Sequence, residues 1–133
     1  MPRINHIAIK VDDLAKASEL YENVFGLTYV STVRNPGRVS RNLTDGAIYL
    51  TLIQYEGEDA PEARFGGDGC CIHHFGIEVD APGPYEAELK ARGYEILSGS
   101  SDKMPVKFRP STGVCAELLI STSIGPEETK AAE

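Results

Sequence analysis

A short phrase that occurs twice constrains the fold of this chain more than any other feature. Residues 5–12 read NHIAIKVD and residues 73–80 read HHFGIEVD, so His6 and His74 occupy equivalent positions in the two copies. Each copy starts an alternating strand and leads into an acidic helix start. Because the second copy begins about halfway along the 133 residues, the pattern is typical of a duplicated unit. Two equivalent histidines can meet at the centre of such a fold, which is a favourable place for a metal.

Each copy continues into the same predicted series of elements. In the first copy, Asp12 and Asp13 predict a helix start and Gly26 predicts the helix end. In the second, Pro84 suits the first helical turn and Gly93 the end. Turn-forming residues then separate three further strands in each copy. The predicted strands are 4–11, 27–34, 38–43, 47–55, 71–79, 94–97, about 106–109 and 114–121.

These elements predict an α+β fold built from two tandem βαβββ modules. The modules form a curved mixed sheet around a central cleft, with the helices on the outer face. The first module spans about residues 3–55 and the second about residues 71–122, and a linker of about residues 56–70 joins them. Residues from about 125 to 133 have little to bury and are predicted to form a flexible tail.

Charge and composition restrict the partners of the chain. A formal net charge of −7 disfavours nucleic acid and acidic membrane surfaces, because both attract cationic proteins. The longest apolar run, residues 47–53, is too short to span a bilayer, and no apolar signal segment precedes the first strand. The three cysteines give an odd count and no disulfide framework. We therefore expect a cytoplasmic protein with reduced thiols, a small-molecule substrate, and no nucleic-acid or membrane partner.

Two histidines and one glutamate are the candidate metal ligands. His6 lies opposite the apolar residues of its strand, and His74 has the same position in the repeat. His73 has the opposite parity, so we do not expect it in the same site. Glu117 lies within an apolar run, where a carboxylate is costly to bury unless it meets a cation or a metal. Two imidazoles and one carboxylate suit a divalent ion such as Fe(II), Mn, Zn, Ni or Co.

The first module lacks an obvious acidic counterpart of Glu117. Aligning the turn glycines of the two modules places Leu50 opposite Glu117, whereas the apolar pattern leaves Tyr49 and Thr51 facing the cleft. We prefer the apolar pattern, because a slip of one residue would turn three aliphatic side chains outward. In either register the protein supplies at most three ligands. Tyr49 and Glu117 are the candidate catalytic residues, Tyr49 as an acid or hydrogen-bond donor beside the metal, although core packing explains Tyr49 equally well.

Three segments resemble the vicinal oxygen chelate superfamily, which includes glyoxalase I, methylmalonyl-CoA epimerase, extradiol dioxygenases and bleomycin-resistance proteins. Residues 4–14 and 21–27 are similar to the start of that family. Residues 108–113, together with Glu117, are similar to its closing phrase FxDPxGxxxEL, although the aspartate before the proline is absent here. The resemblance covers nearly the whole chain and implies the same fold.

The resemblance also implies roles for individual residues. His6, His74 and Glu117 correspond to metal ligands of the family. The carboxylate or glutamine that the first module of glyoxalase I and the epimerase contributes looks absent at Tyr49. The remaining set of two histidines and one glutamate is similar to the iron site of the extradiol dioxygenases. Short family members of this type often pair, so the resemblance also implies a homodimer.

We accordingly predict a metal-dependent enzyme of the glyoxalase/dioxygenase type that chelates two adjacent oxygens of a small substrate on a divalent ion. One alternative is an isomerase or epimerase that transfers a proton next to a carbonyl, which needs a base that Glu117 cannot supply while it binds metal. The other is a metal-free binding protein of the resistance type. Some basic residues of the middle strands and loops could steer an anionic substrate, although solvated surface charge is expected for most of them. They are Arg34, Arg38, Arg41, Lys103, Lys107 and Arg109.

Overall fold

The computed structural model of the protein describes residues 1–57 and 61–120, so the predicted tail of about 125–133 lies outside the described residues. The strands are β1 (Arg3–Lys10), β2 (Thr28–Asn35), β3 (Arg38–Thr44), β4 (Tyr49–Tyr55), β5 (Cys71–Glu78), β6 (Glu95–Ser100), β7 (Lys103–Ser111) and β8 (Val114–Leu119). The helices are α1 (Leu14–Glu19), which continues as a π-helical turn (Leu20–Val24), a short 3-10 helix (Pro61–Arg64) and α2 (Pro82–Ala91).

The eight strands form one mixed sheet, in the order β2-β3-β4-β1-β5-β8-β7-β6. The pairs β1/β4 and β5/β8 are parallel, and the other neighbouring strands are antiparallel. The predicted α+β fold with a mixed sheet is therefore confirmed. This order places β1 and β5, the two strands that carry the repeated phrase, side by side at the centre of the sheet.

The ends of α1 follow the local signals in the sequence. The Asp13 side chain accepts a hydrogen bond from the backbone N–H of Lys16, which caps the first turn. Gly26 adopts a φ of 71°, a left-handed conformation that glycine reaches without steric cost, and it ends the helical segment. In contrast, Ala81 at the start of α2 makes no side-chain cap, and Pro82 opens that helix instead.

Both helices pack on the same face of the sheet, called the helix face below. Arg41 of β3 donates to the Ser18 hydroxyl of α1 at 2.9 Å, and Gln54 of β4 accepts from the backbone N–H of Leu14 at 2.8 Å. In the second half, Leu89 of α2 packs on a buried apolar cluster of the sheet. The cluster comprises Val79, Val106, Phe108, Ala116 and Leu118.

The strand ends differ from prediction where a side chain fixes a turn. β4 begins at Tyr49, later than predicted, because Asp45 holds the turn before it. The Asp45 carboxylate accepts hydrogen bonds from the backbone N–H groups of Ala47 and Ile48, at 2.8 and 3.0 Å. Those two amides are therefore committed to the turn and not to the sheet.

Within residues 1–57 and 61–120, every helix is too short or too polar to cross a bilayer.

Candidate metal centre

The face of the sheet opposite the helices collects His6, His74 and Glu117 from three adjacent strands, and we call it the histidine face. The β1–β5 register pairs Ala8 with His74 and His6 with Gly76, and the β5–β8 register pairs Gly76 with Glu117. Directly paired residues project to the same face of a sheet. The three predicted ligands are therefore brought together at the centre of the fold.

Gly76 makes room for the ring of His6. A methyl group added at this glycine would lie 2.6 Å from Nδ1 of His6 and 3.0 Å from Cδ2 of Leu119, which is closer than side chains approach. A glycine in the interior of a strand often marks such a close approach. Its place in the repeated phrase, where the first copy has Ala8, is therefore explained by the His6 ring.

The three side chains lie close enough together to share one ion. Nε2 of His6 is 3.1 Å from Nε2 of His74 and 3.2 Å from Oε1 of Glu117, and Nε2 of His74 is 3.4 Å from Oε2 of the same carboxylate. The exposed fractions of the three residues are 3%, 7% and 6%. One ligand atom from each residue lies within 4.8 Å of the others, as binding to a single ion requires.

Asn5 fixes which nitrogen of His6 carries the proton. The Asn5 amide nitrogen donates to Oε1 of Glu78 at 3.0 Å, so its amide oxygen faces Nδ1 of His6, 2.9 Å away. An amide oxygen accepts hydrogen bonds and does not donate them, so Nδ1 of His6 is the donor. Neutral His6 therefore presents the lone pair of Nε2 to His74 and Glu117.

His73 contacts the ring of His74, which differs from the prediction that it lies away from the site. The β1–β5 pairing steps from Ala8–His74 to Ile9–Ile72, so His73 is the extra residue of a β-bulge. A bulge redirects the side chains around it and breaks the simple alternation on which the prediction depended. As a result, Nδ1 of His73 lies 2.7 Å from Nδ1 of His74.

His73 in turn fixes the proton of His74. Nε2 of His73 faces the backbone carbonyl oxygen of Glu62, which can only accept, so His73 carries its proton on Nε2 and accepts at Nδ1. Burial lowers the pKa of His73, which favours this neutral form. His74 therefore donates from Nδ1–H and presents the lone pair of its Nε2.

The segment 61–67 covers one end of the histidine face and supports this network. The ammonium of Lys10 donates to the backbone carbonyls of Ala63 and Gly67, at 2.6 and 2.9 Å. Arg38 forms an ion pair with Glu62 at 3.2 Å. Because the carbonyl of Glu62 is the acceptor for His73, these contacts hold the residue on which the His74 tautomer depends.

The two candidate ligand histidines thus face each other through their Nε2 atoms, 3.1 Å apart, and when both rings are neutral a cation between them would relieve the repulsion of the two lone pairs. A histidine whose Nδ1–H is held by a neighbouring acceptor while Nε2 is free is the usual arrangement of a metal ligand in proteins. Two such nitrogens and one carboxylate oxygen suit Fe(II), Mn, Zn, Ni or Co. The residues present therefore fit a divalent metal.

The charges of the site favour an ionised Glu117. Its burial acts to raise the pKa, but the neighbouring His74, His6 and Lys107 outweigh burial, and the pKa of Glu117 lies well below its ordinary value of 4.5. Burial lowers the pKa of His74 to about 3, so this ring is neutral at neutral pH. The Lys107 ammonium, 3.4 Å from Oε2 of Glu117, is then the full positive charge beside the carboxylate.

Thr51 is the counterpart of Glu117 in the first half of the sheet. Ala8 and Gly76 are equivalent in the repeated phrase; Ala8 pairs with Thr51, and Gly76 pairs with Glu117. A threonine at this position carries no charge and is shorter than glutamate. The first half therefore offers no carboxylate here, as the sequence predicts.

The apolar pattern placed Tyr49 and Thr51 on one face, as the structure does, whereas the alignment of turn glycines pointed to Leu50, which is wrong. Tyr49 pairs with His6 and shares the histidine face, as the apolar pattern predicts, while Leu50 pairs with Ile7 on the helix face. In the part of the chain that the structure describes, no hydrogen bond joins the Tyr49 hydroxyl to a candidate ligand. The role of Tyr49 as an acid or donor stays a prediction.

Two rows of paired residues cross the histidine face. The neutral row is Ala8, Thr51, Asn42 and Ser31. The charged row is Gly76, Glu117, Lys107 and Ser98. In the neutral row, the Thr51 hydroxyl donates to the amide oxygen of Asn42 at 2.6 Å, and the Asn42 amide nitrogen donates to the Ser31 hydroxyl at 3.1 Å.

Sequence reasoning did not assign roles to Asn5 and His73, and it named Lys107 only among several basic residues. Asn5 and His73 each directly precede a ligand histidine in the repeated phrase. That shared position, with a side chain able to accept from Nδ1–H, is the signal that could have found them. Lys107 stands between two apolar residues of a strand, the same signal that drew attention to Glu117.

The comparisons with known proteins agree with this fold. The model of the glyoxalase/bleomycin resistance protein/dioxygenase superfamily matches residues 3–105. The mitochondrial methylmalonyl-CoA epimerase of Bos taurus is 35% identical, over 87% of this chain and 73% of the relative. The epimerase of Homo sapiens is 33% identical, over 87% of this chain and 72% of the relative.

Solved structures show the same resemblance. A methylmalonyl-CoA epimerase in complex with methylmalonyl-CoA and NH4+ matches with a TM-score of 0.75 and 26% identity, over 94% of this chain and 98% of that chain. A variant of the Streptomyces coelicolor methylmalonyl-CoA epimerase in complex with 2-nitronate-propionyl-CoA matches with a TM-score of 0.74 and 25% identity, over 91% of this chain and 98% of that chain. With the family model and the curated relatives, these matches lead to one conclusion. The chain belongs to the glyoxalase/bleomycin resistance protein/dioxygenase superfamily.

Proposed function

We propose that the protein is an isomerase that transfers a proton at the carbon next to the carbonyl of an acyl-CoA thioester. The curated relatives and the most informative structural relatives are epimerases of methylmalonyl-CoA. They favour the isomerase alternative over the glyoxalase- or dioxygenase-like enzyme that the sequence first suggested. The substrate we propose is a malonyl-type thioester, in which a carboxylate and a thioester carbonyl flank the reacting carbon.

The chain's own residues would hold a divalent metal at the centre of the histidine face. His6 and His74 would bind through Nε2 and Glu117 through its carboxylate, while Asn5 and His73 hold the Nδ1 protons. When bound, a divalent metal acts as a Lewis acid and stabilises negative charge on substrate oxygens. Burial of all three ligands keeps water away from their donor atoms, which strengthens such electrostatic interactions.

Proton transfer needs a group that is not a metal ligand. Glu117 is paired with the two histidines and with Lys107, so it serves the metal and not the substrate carbon. Tyr49 is the acid–base residue we propose, because its pairing with His6 places it on the histidine face. In this role the deprotonated oxygen of Tyr49 would take the proton from the substrate carbon, and the resulting hydroxyl would return a proton to that carbon, with the substrate placed within reach of this oxygen.

The observation that carries the proposal is the pair of Nε2 atoms, 3.1 Å apart beside Glu117, in a chain whose relatives are epimerases. A metal-free binding protein of the resistance type has no need of two histidines with protons held on Nδ1. The predicted homodimer and cytoplasmic location remain part of the proposal.

Exchange of the substrate's α-proton with solvent tests this function. Metal-loaded protein is incubated with methylmalonyl-CoA in D2O, and deuterium at the α-carbon is followed by mass spectrometry. We expect exchange that stops when the metal is removed by a chelator and returns when the metal is restored. Binding of the thioester without any exchange would contradict the proposal and favour the binding protein, and oxygen-dependent cleavage of catechols would favour the dioxygenase.

A separate variant examines Tyr49. Tyr49→Phe keeps the ring and removes the hydroxyl, so we expect it to bind metal and thioester as wild type does while exchange slows by about 100-fold or more, the usual size of an acid–base contribution. An unchanged exchange rate would remove Tyr49 from the reaction and leave the isomerase assignment in place.

A further inference from the structure

Lys107 is a buried cation that the metal site does not need as a ligand. It lies in β7, paired with Glu117 of β8, and only 6% of its surface is exposed. Within residues 1–57 and 61–120, the partner of its ammonium group is Glu117, 3.4 Å away at Oε2. An ammonium group has three protons to donate, so this single long contact leaves most of its hydrogen-bonding capacity unused.

The neutral row shows that the fold does not require a charge at this point. Asn42 occupies the position in the first half that Lys107 occupies in the second, since Asn42 pairs with Thr51 and Lys107 pairs with its counterpart Glu117. Asn42 is fully buried, and its amide is satisfied by the side chains of Thr51 and Ser31. A buried polar residue at this position can therefore have its hydrogen-bonding groups satisfied by neighbouring strands. The ammonium group of Lys107 is not satisfied in this way.

The charge of Lys107 changes what the site would accept. Glu117 supplies the one negative charge among the three candidate ligands, since a histidine binds a metal as a neutral imidazole. The Lys107 ammonium offsets that negative charge. With a divalent metal in place, neither positive charge of the ion is compensated by the protein. A ligand with a single negative charge leaves the site cationic, whereas a dianionic chelating ligand neutralises it.

We propose that Lys107 is a specificity-determining residue that selects substrates with a carboxylate beside the reacting carbonyl, because its ammonium pairs with that carboxylate next to the metal. This inference rests on the proposed function and adds the residue that recognises the carboxylate of its substrate. In such substrates the carboxylate is one negative oxygen group, and the neighbouring carbonyl oxygen gains negative charge as the proton leaves. Lys107 and the metal together match those two groups.

Binding of small ligands to the metal-loaded protein tests this role directly. Malonamate carries one carboxylate and one neutral carbonyl at chelating spacing, as the proposed substrate does, and malonamide has the same shape with that carboxylate replaced by a second neutral amide. Calorimetry first gives the metal affinity of wild type, Lys107→Met and Lys107→Arg, and then the affinity of each loaded protein for the two ligands. Lys103→Met is the matched control, since Lys103 lies in the same strand but is exposed.

We expect Lys107→Met to bind metal at least as tightly as wild type, because a cation beside Glu117 has been removed. Its affinity for malonamate should fall by about 10- to 100-fold, the range of one hydrogen bond to a charged group, while that for malonamide changes by less than about threefold. Lys107→Arg keeps the charge and should retain the preference for malonamate, and Lys103→Met should behave as wild type.

Several outcomes would overturn the inference. Unchanged malonamate binding in loaded Lys107→Met, or an equal loss for malonamate and malonamide, would show that Lys107 does not select the carboxylate. If Lys107→Met proves unfolded by thermal denaturation, Lys107→Gln takes its place, and an undiminished preference for malonamate over malonamide in that variant would also contradict the inference. Failure of wild type to bind any divalent metal would appear in the first titration and would overturn the proposed function itself.

Discussion

The neutral and charged rows of the histidine face occupy the same positions in the two halves of one sheet, yet they carry different chemistry. In the neutral row, Thr51 and Asn42 satisfy each other with hydrogen bonds between uncharged groups. In the charged row, Glu117 and Lys107 form a buried ion pair beside both histidines. The strands that carry the two rows pair in the same order on either side of the sheet centre, while their side chains diverge. A shared frame can therefore position a reactive site without making both halves reactive.

The two histidines differ from the rows in this respect, because each is held by a similar hydrogen bond in its own half of the sheet. Asn5 accepts from Nδ1 of His6, and His73 accepts from Nδ1 of His74. The two supporting residues differ in type but occupy the same place before the ligand. The histidine pair is thus the symmetric part of the site, and the carboxylate is the asymmetric part. The experiments below separate these two parts.

Removal of the single carboxylate should have the largest effect. Glu117→Gln keeps the size of the side chain and removes its charge, so we expect metal affinity to fall by more than about 100-fold, beyond the range typical of supporting residues. Competition against a chromophoric chelator measures the loss. Glu86→Gln is the matched control, because Glu86 is also a buried glutamate but bonds to the backbone of Ser101. Similar losses in both variants would mean that burial and not ligation explains Glu117.

Removal of either supporting residue should have a smaller effect of similar size in the two halves. Asn5→Ala and His73→Leu each leave a ligand histidine without the acceptor for its Nδ1–H, and we expect metal affinity to fall by about 10- to 100-fold. The same competition assay applies. A loss in one variant alone would show that the two histidines are not equivalent.

A carboxylate placed in the neutral row should replace part of the metal affinity that Glu117 provides in the charged row. Thr51→Glu places an acid at the counterpart of Glu117, and in the Glu117→Gln background we expect it to recover metal affinity by about tenfold, equal to ~1.4 kcal/mol. Asn42, the partner of Thr51, becomes the acceptor or donor for the new side chain. Absence of any recovery would show that the first half cannot reach the ion and would break the equivalence of the rows.

The buried histidine should make metal-stripped protein less stable in acid. Burial lowers the folded pKa of His74 from 6.5 to about 3, so between these values the unfolded chain binds a proton that the folded chain does not. The free energy of unfolding therefore rises with pH in this window, and His74 alone contributes about 1.4 kcal/mol per pH unit. Urea unfolding at about pH 5 and about pH 6 measures the slope. His74→Gln removes this titration, and an unchanged slope in that variant would contradict the explanation.

The sequence predicted the fold well because the decisive signals are local and periodic. Alternating residues defined β1 and β5, and the caps at Asp13 and Gly26 marked the first helix. The repeat by itself predicts that His6 and His74 lie on one face of the sheet. These features depend on neighbours within a few residues, which a sequence displays directly.

The parts of the site that were missed depend on register and irregularity. The counterpart of Glu117 is Thr51 because of how β1 pairs with β4, and an alignment of turns gave a different position. His73 reaches His74 because a β-bulge interrupts the alternation, which no parity argument can anticipate. The contact between Lys107 and Glu117 joins two strands whose alignment only the folded sheet fixes.

The metal content of the protein tests the central claim most directly. Protein purified without chelator, together with His6→Ala and His74→Ala, is analysed by elemental mass spectrometry after saturation with a divalent metal and removal of the excess. The account predicts about one ion per chain in wild type and essentially none in either variant, because each half supplies one indispensable imidazole. Retention of the ion in either variant, or no ion in wild type, would contradict it.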